Sequence, residues 1–223
     1  MWNPIRVAVT IAVARALSPR SPAAPPSASL GPAIGRKGFF VGAAAAAASS
    51  LSGAAPASAA ETQSIKTKFG TSTGDGSPLS SATFSVPESW VRLNGDVAGG
   101  RQLVLFADPG NSDTNAFVLI TPIRGDYTSL GSFGNLETVQ ETVMPPADGI
   151  EYNLVSAAAS TGKYTYEYKI QVPNQPKRHL TTIFMVQSDC IVTFNVQAKE
   201  EDYTPAVASL SKTIVDSFKT GKA

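Results

Sequence analysis

The sequence predicts an α+β fold, an antiparallel β-sheet covered by helices in an α/β/α sandwich. Runs of β-branched and aromatic residues follow one another over short turns, which implies antiparallel neighbours. Two segments with helical periodicity lie among these runs, and amphipathic helices of this kind pack on the faces of a sheet. The chain has 223 residues, 43% of them hydrophobic, which is enough for one domain of ordinary size and additional segments.

Six segments have the composition of strands. The clearest is 163–172, KYTYEYKIQV, in which Tyr164, Tyr166 and Tyr168 alternate with polar residues and so share one face of a half-buried strand. The other five are 82–87, 101–107, 116–122, 179–186 and 190–198. The last two are joined by only three residues, so we expect them to form an antiparallel hairpin.

The stretch 130–143, LGSFGNLETVQETV, predicts a turn followed by a helix. A glycine-containing turn before a helix can hold an anion through free backbone N–H groups, and the alternative is a turn and a cap. Asn135 is a good N-cap, while Glu137 in the first turn would repel a phosphate. The sequence therefore favours the turn and cap, with Phe133 packed back on the helix as a hydrophobic staple.

A second helix is predicted from Thr204 to Phe218. Thr204 can be its N-cap and Pro205 its first residue, since both residue types are common at those positions. The apolar stripe that would face the sheet consists of Val207, Leu210, Ile214 and Phe218.

Residues 1–59 have the composition of a bipartite chloroplast transit and lumen-targeting peptide. About the first 30 residues are rich in Ala, Ser, Pro and Arg and contain no acidic residue, which is typical of an organelle transit peptide. The basic pair Arg36-Lys37 then precedes an apolar run and an A-x-A cleavage signal at 57–59. This apolar run, 39–48, is shorter than the ~20 residues of a transmembrane helix. Two signals in series predict passage into the thylakoid lumen, by the Sec or the twin-arginine route, and a mature protein that begins at Ala60.

The mature part is predicted to consist of a flexible N-terminal arm, 60–81, rich in Gly, Ser and Thr, and a folded domain, 82–220. All 17 acidic residues but only 13 of the 18 basic ones lie in 61–223, so this part has a formal charge of −4. That balance gives no electrostatic reason to bind nucleic acid. Cys190 is the single cysteine, and its β-branched surroundings predict a buried, inert thiol.

Five motifs in order along the chain are similar to those of one family. They are FSVPESW (84–90), VLITPIRGDYTSLGSFGNLETV (118–139), Gly162 followed by YTYEY (164–168), Arg178-His179-Leu180 and IVDSF (214–218). This series resembles the PsbP family, the extrinsic lumenal proteins of oxygenic photosynthesis, over about 82–219. The resemblance implies an antiparallel sheet covered by helices and a protein peripheral to the thylakoid membrane. The partner that it implies is the lumenal face of a photosystem or its assembly intermediates.

The chain also departs from the family's pattern. A tryptophan that is common in the family is replaced by Asp202-Tyr203, and the region 145–161 keeps little of the usual pattern. The N-terminal arm is unlike that of the subunit that retains calcium and chloride at the manganese cluster. We therefore expect a PsbP-like or PsbP domain-containing relative of that subunit.

No catalytic, cofactor-binding or metal-binding residue is assigned from the sequence. His179 is the only histidine, and no serine lies in a G-x-S-x-G elbow. The resemblance implies that a histidine at this step binds metal ions in some members, but a strand histidine held by its neighbours is favoured. Asp108 and Asp113 lie close together in a loop that could bind Ca²⁺, although a solvated hairpin turn is favoured. The acidic run 200–202 is interpreted as a solvated turn before the second helix, or secondarily as a surface for a basic partner.

Three functions follow from these observations. The favoured one is a non-enzymatic thylakoid-lumen accessory protein that docks on a photosystem, of the photosystem II oxygen-evolving complex type, or assists its assembly and stability. The second is a lumenal module that binds Ca or Mn ions in support of water oxidation. These two ions are the cofactors that the family resemblance implies. The third is an enzyme of unrecognised type. Titration with Ca²⁺ and Mn²⁺ distinguishes the first two.

Overall fold

The computed structural model describes residues 61–71, 75–93, 97–123, 127 and 129–223, and the predicted targeting peptide lies outside them. The strands are β1 Thr62–Thr71, β2 Pro78–Pro87, β3 Val91–Leu93, β4 Gln102–Asp108, β5 Asn111–Pro122, β6 Glu151–Ser160, β7 Lys163–Gln171, β8 Arg178–Gln187, β9 Cys190–Lys199 and β10 Lys219–Lys222. The α-helices are α1 Leu136–Val143 and α2 Pro205–Ser217, and short 3-10 helices cover Leu130–Phe133 and Glu200–Asp202. All six predicted strands and both predicted helices are confirmed.

The strands form two antiparallel sheets. Seven of them form a large sheet in the order β3-β4-β5-β9-β8-β7-β6, and three form a small sheet in the order β1-β2-β10. In the large sheet, β6 to β9 follow one another as a meander of hairpins. The pairing of β5 with β9 instead joins segments that are far apart in the chain. The fold is thus α+β with an antiparallel sheet covered by helices, as predicted.

Helix α1 covers one face of the large sheet, which we call the α1 face. Tyr166 and Tyr168 of β7 are buried there with Val139 of α1, which confirms the predicted tyrosine face. The hydroxyl of Tyr166 donates to the carbonyl of Leu136 at 2.8 Å, and that of Tyr164 donates to the carbonyl of Gly134 at 3.1 Å. These tyrosines therefore anchor the start of α1 to the sheet.

The small sheet and α2 cover the opposite face, which we call the α2 face. Phe84 of β2 packs against Phe106 of β4 and Phe194 of β9, with ring centroids 6.4 and 5.0 Å apart. Phe218, at the end of α2, stacks on Phe194 at 4.4 Å, and Ile214 of the same helix is buried in this cluster. The C-terminal residues of the apolar stripe predicted for the second helix, Ile214 and Phe218, therefore pack in the main core.

The turn before α1 is structural, as the sequence favoured. Oδ1 of Asn135 accepts a hydrogen bond from the backbone N–H of Thr138 at 2.9 Å, so Asn135 is the N-cap, and Glu137 lies in the first turn. Gly134 has a φ of 116°, and a Cβ at this position would lie 2.7 Å from the Cβ of Thr138, so the turn requires glycine. The half-buried ring of Phe133 lies against Tyr127 at 4.7 Å and Phe184 at 6.0 Å.

We expect Asn135→Ala to lower the free energy of unfolding by about 1 kcal/mol, because it removes the N-cap acceptor. Asn135→Asp keeps an acceptor at the positive end of the helix dipole and should leave the stability nearly unchanged. Urea unfolding followed by circular dichroism measures both. Equal losses in the two variants would show that the cap contributes nothing.

The prediction of a flexible arm over 60–81 is wrong for most of the described residues in that range. Residues 62–71 form β1, which pairs with β2 along its length, and Phe69 is 1% exposed. The inward positions of β1 are Ile65, Thr67 and Phe69, and serine and lysines alternate with them. The period-two pattern of a strand is present, but small polar residues weaken it, so the sequence alone predicts an arm here.

Among the described residues, no helix has the length and the apolar character needed to cross a membrane.

Candidate functional site

Most of the polar residues singled out in the sequence, Asp108 excepted, meet at one end of the large sheet. The β8–β9 pairing places Arg178 opposite Lys199 and His179 opposite Ala198. Because successive residues of a strand point to opposite faces, Arg178 lies on the α1 face and His179 on the α2 face. The end of β9 continues directly into the acidic run 200–202. Two clusters of charged residues therefore lie back to back at this end of the sheet.

The first, which we call the His179 cluster, consists of Glu167, Lys169, His179, Glu200 and Tyr203. Nε2 of His179 lies 2.8 Å from Oε1 of Glu167, and Nδ1 lies 3.2 Å from Oε2 of Glu200. The imidazole stacks on the Tyr203 ring, with centroids 3.7 Å apart and planes at 15°. Lys169 pairs with Glu200. His179 is 6% exposed, so it is a strand histidine held by its neighbours.

The imidazole of His179 lies between two carboxylates. A carboxylate can only accept, so a protonated ring can donate to both Glu167 and Glu200, whereas a neutral ring can donate to one of them. The two carboxylates bind opposite edges of the ring and do not converge on one point. Consistent with this, the described part of the chain contains no group of three His, Cys, Asp or Glu side chains arranged to hold a metal ion. The His179 cluster therefore links β7, β8 and the segment before α2 by ion pairs and hydrogen bonds.

The second, which we call the Arg178 cluster, consists of Asp113, Arg178 and Lys199. Nη2 of Arg178 lies 2.5 Å from Oδ1 of Asp113, and Nζ of Lys199 lies 3.2 Å from Oδ2 of the same carboxylate. Desolvation by burial acts to raise the pKa of Asp113, but the hydrogen bonds and positive charges of Arg178 and Lys199 outweigh it, and the pKa is lowered. Arg178 is only 8% exposed, so its charge is compensated inside the protein.

The two aspartates considered as Ca²⁺ ligands, Asp108 and Asp113, have different partners. Oδ1 of Asp108 accepts from the backbone N–H of Gly110 at 2.8 Å, as in a tight turn. Asp113 instead faces Arg178 and Lys199 in the Arg178 cluster. The segment is the β4–β5 hairpin turn that the sequence favoured.

The interpretation of the acidic run as a solvated turn is wrong for Glu200, which binds Lys169 and His179. Asp202 accepts a hydrogen bond from Nδ2 of Asn111 at 2.8 Å, and the side chain of Glu201 remains 72% exposed. The sequence did not reveal this because Glu200 meets its partners only through the pairing of three different segments. The signal that could have found it is the register of the β7–β8 hairpin, which puts Lys169 opposite His179.

Cys190 is buried, as predicted, at the start of β9. Burial raises the pKa of its thiol. The residue lies at the edge of a cavity of about 250 Å³ that Phe69, Gly70, Ser188 and Asp189 also line. A thiol that is protonated and 5% exposed is a poor nucleophile.

We expect the protein to lose stability as the pH falls below the ordinary pKa values of Asp and Glu. Desolvation by burial acts to raise the pKa of Glu200, but Lys169 and His179 outweigh it and lower the pKa, as the Arg178 cluster does for Asp113. As the pH falls, these two carboxylates are therefore protonated at a higher pH in the unfolded chain than in the folded protein. The contribution of these groups is fully present above pKa values of 3.8 and 4.5 and is lost as the pH falls through the lower values of the folded state.

Urea unfolding at pH values from neutral to acid, followed by circular dichroism, tests this expectation. In Asp113→Asn, the free energy of unfolding should fall less steeply at acid pH than in the wild type, because the asparagine side chain does not titrate. Asp216→Asn is the matched control, since that carboxylate forms an exposed pair with Lys212 and should leave the limb unchanged. Identical acid limbs in all three proteins would contradict the assignment.

The family model described as PsbP matches residues 80–220. PsbP domain-containing protein 3, chloroplastic, from Arabidopsis thaliana is 25% identical over 142 residues, which cover 59% of this chain and 58% of that relative. The chain therefore spans less than two thirds of that relative's length. The solution structure of cyanobacterial PsbP (CyanoP) from Synechocystis sp. PCC 6803 aligns with 77% of this chain and 99% of that chain, at 23% identity and a TM-score of 0.49.

Proposed function

Because the chain belongs to the PsbP family, we propose that it is a non-enzymatic accessory protein of photosynthesis in the thylakoid lumen. In this proposal the protein docks on the lumenal face of a photosystem, of the photosystem II oxygen-evolving complex type, or assists the assembly and stability of that photosystem. The relative from Arabidopsis is described as chloroplastic, and the leader at 1–59 has the composition of a chloroplast and lumen-targeting peptide. Both support a chloroplast location.

The observation that carries the proposal is the extent of the family match. Residues 80–220 include the whole large sheet, both helices and both charged clusters. The reactive side-chain types in these clusters are engaged with one another: His179 with two carboxylates and Tyr203, and Asp113 with two cations. Such pairing favours a rigid surface for recognition over a free nucleophile or general base.

Fractionation of thylakoids tests the location and the partner together. We expect the protein in the soluble lumenal fraction or released from the membrane by salt, with an intact mass that corresponds to a start at Ala60. On native gels, part of it should migrate with a photosystem or one of its assembly intermediates. Recovery in the stroma, or migration as a free protein under all conditions, would contradict the proposal.

The ion-handling alternative is tested by calorimetric titration with Ca²⁺ and Mn²⁺. We expect no saturable heat with either ion, and no change of the melting temperature in EDTA, because the candidate ligands are engaged in ion pairs. If Mn²⁺ binds in the wild type and no longer binds in His179→Ala, His179 is a ligand and the ion-handling function replaces the accessory one.

A further inference from the structure

Strand β6 forms one edge of the large sheet, and among the described residues it pairs with β7 alone. From 152 to 160 it contains no charged residue and no proline. Its side chains include Leu154 and Val155, which are 40% and 49% exposed. An edge strand of this kind presents unpaired backbone N–H and C=O groups, and these can pair with another strand.

The other three edges of the two described sheets are protected against such pairing. β3, at the opposite edge of the large sheet, is only three residues long and contains Arg92. In the small sheet, β1 contains Lys66 and Lys68, and β10 contains Lys219 and Lys222. Short strands and edge lysines are common means by which proteins prevent edge-to-edge association. β6 is therefore the edge that lacks both.

The middle of β6 contains a β-bulge. Leu154 pairs with Tyr168 and Ser156 pairs with Glu167, so Val155 has no partner on β7. The bulge changes which residues share a face, because residues opposite alternate positions of β7 lie on the same side of the sheet. The residues of β6 on the α1 face are Tyr152, Leu154, Ala157 and Ala159, and those on the α2 face are Glu151, Asn153, Ser156, Ala158 and Ser160.

A second copy of β6 fits this edge in the antiparallel direction. Pairing about a twofold axis at the bulge puts Tyr152 opposite Ala159 of the second copy, and Leu154 opposite Ala157 of the second copy. The members of each pair lie on the same face, and their backbone groups point the same way relative to β7. Each pair also joins one large and one small side chain. The copy therefore matches the edge in face, in hydrogen-bonding direction and in side-chain size.

The charges at the two ends of this edge are complementary as well. On the α2 face, Glu151 is at the start of β6, and Ser160 at its end lies opposite Lys163. The same pairing puts Glu151 of the second copy next to Ser160, two strand spacings, or about 10 Å at Cα, from Lys163. The short serine lets the two long side chains meet over it, and the twofold axis produces this contact twice. Such ion pairs contribute more to register than to affinity.

We propose that the β6 edge pairs with the β6 edge of a second copy of this chain, so that the two large sheets form one continuous sheet. The assembly is closed at two copies, because both use the same edge about a twofold axis. An interface made by one strand from each copy is small, so the dimer is weak and forms at high protein concentration. This pairing is independent of the docking function proposed above.

Sedimentation equilibrium of the full chain, from about 10 µM to 1 mM, tests the proposal. We expect the average mass to rise with concentration from that of a monomer toward that of a dimer, with no larger species. A monomer over the whole range would overturn the proposal. Open-ended oligomers would also overturn it, because a twofold pair cannot grow.

A lysine substitution shows whether β6 is the edge that pairs. Val155→Lys puts an edge lysine near the twofold axis, where it faces its own copy, and should raise the dissociation constant by about tenfold or more. Val91→Lys is the matched control, since Val91 is 45% exposed on β3 at the other edge of the same sheet, and it should dimerise as the wild type does. Equal weakening by the two lysines would contradict pairing through β6.

A charge swap tests the contact at the ends of the strand. Glu151→Lys and Lys163→Glu should each weaken the dimer several-fold, because each puts like charges together across the interface. The double variant has the two charges exchanged and should dimerise as the wild type does. A double variant that is weaker than both single variants would contradict this register.

Introduced cysteines measure the register directly. The natural cysteine, Cys190, is buried, so it does not compete. In the proposed pairing Asn153 lies opposite Ala158 of the second copy at about 5 Å between Cα atoms, which a disulfide can span, whereas like residues are about 17 Å apart. A mixture of Asn153→Cys and Ala158→Cys should therefore form a disulfide-linked dimer on oxidation, and either variant alone should not. Dimers that form as readily from one variant alone would contradict the register.

Discussion

Phe84→Ala is expected to lower the free energy of unfolding by about 4 kcal/mol. Phe84 is 1% exposed, and its ring contacts Phe106 and Phe194 of the large sheet from the small one. Its removal would open a cavity between the two sheets, where the backbones on both sides are held by strand pairing and cannot collapse into the space. Urea unfolding followed by circular dichroism measures the loss.

The control for this change is Phe84→Leu, which keeps most of the buried volume and should cost about 1.5 kcal/mol or less. Thr83→Ala, at the neighbouring position on the opposite side of β2, should have little effect. If Phe84→Ala costs no more than Phe84→Leu, the small sheet is not packed on the large one as described.

Asp113→Ala is expected to cost about 3 kcal/mol, because it leaves the buried guanidinium of Arg178 without its carboxylate. This expected loss is small for a broken buried ion pair. The side chain of Asp113 is 23% exposed, so water can solvate part of the charge left on Arg178. Asp216→Ala breaks an exposed pair with Lys212 and should cost less than about 0.5 kcal/mol.

The double variant Asp113→Ala with Arg178→Met isolates the cause. Removal of the stranded charge should recover much of the stability lost in Asp113→Ala, because the buried site is then apolar on both sides. Additive losses in the double variant would mean that Asp113 stabilises the β4–β5 turn and not the buried arginine.

The fold was predictable where burial follows one face of an element. In β7 the inward tyrosines alternate with polar residues, and in α2 the apolar stripe leads to Ile214 and Phe218, so periodicity alone identified both. β6 was not predictable, because it is the edge strand of the large sheet and most of its side chains are exposed on both faces. An edge strand of this kind has no alternating pattern for the sequence to show.

The candidate site was predictable only one residue at a time. His179 was expected to be held by its neighbours, but Glu167 and Glu200 lie 12 and 21 residues away in the sequence. Their meeting depends on strand register and on the turn after β9. Tyr203, which follows the 3-10 turn after β9, stacks on His179. Paired charges from separate strands carry no signal in a single sequence.

The pairing of β5 with β9 has a consequence for how the chain folds. The hairpins from β6 to β9 close over short loops and can form early, because loop closure costs little entropy there. β5 can pair with β9 only after β9, which begins about 70 residues later in the chain, has been synthesised. Until then β4 and β5 form a hairpin with an apolar, unpaired edge, a segment that is prone to aggregate. The last step of folding would then be the pairing of this hairpin with the completed β6–β9 meander.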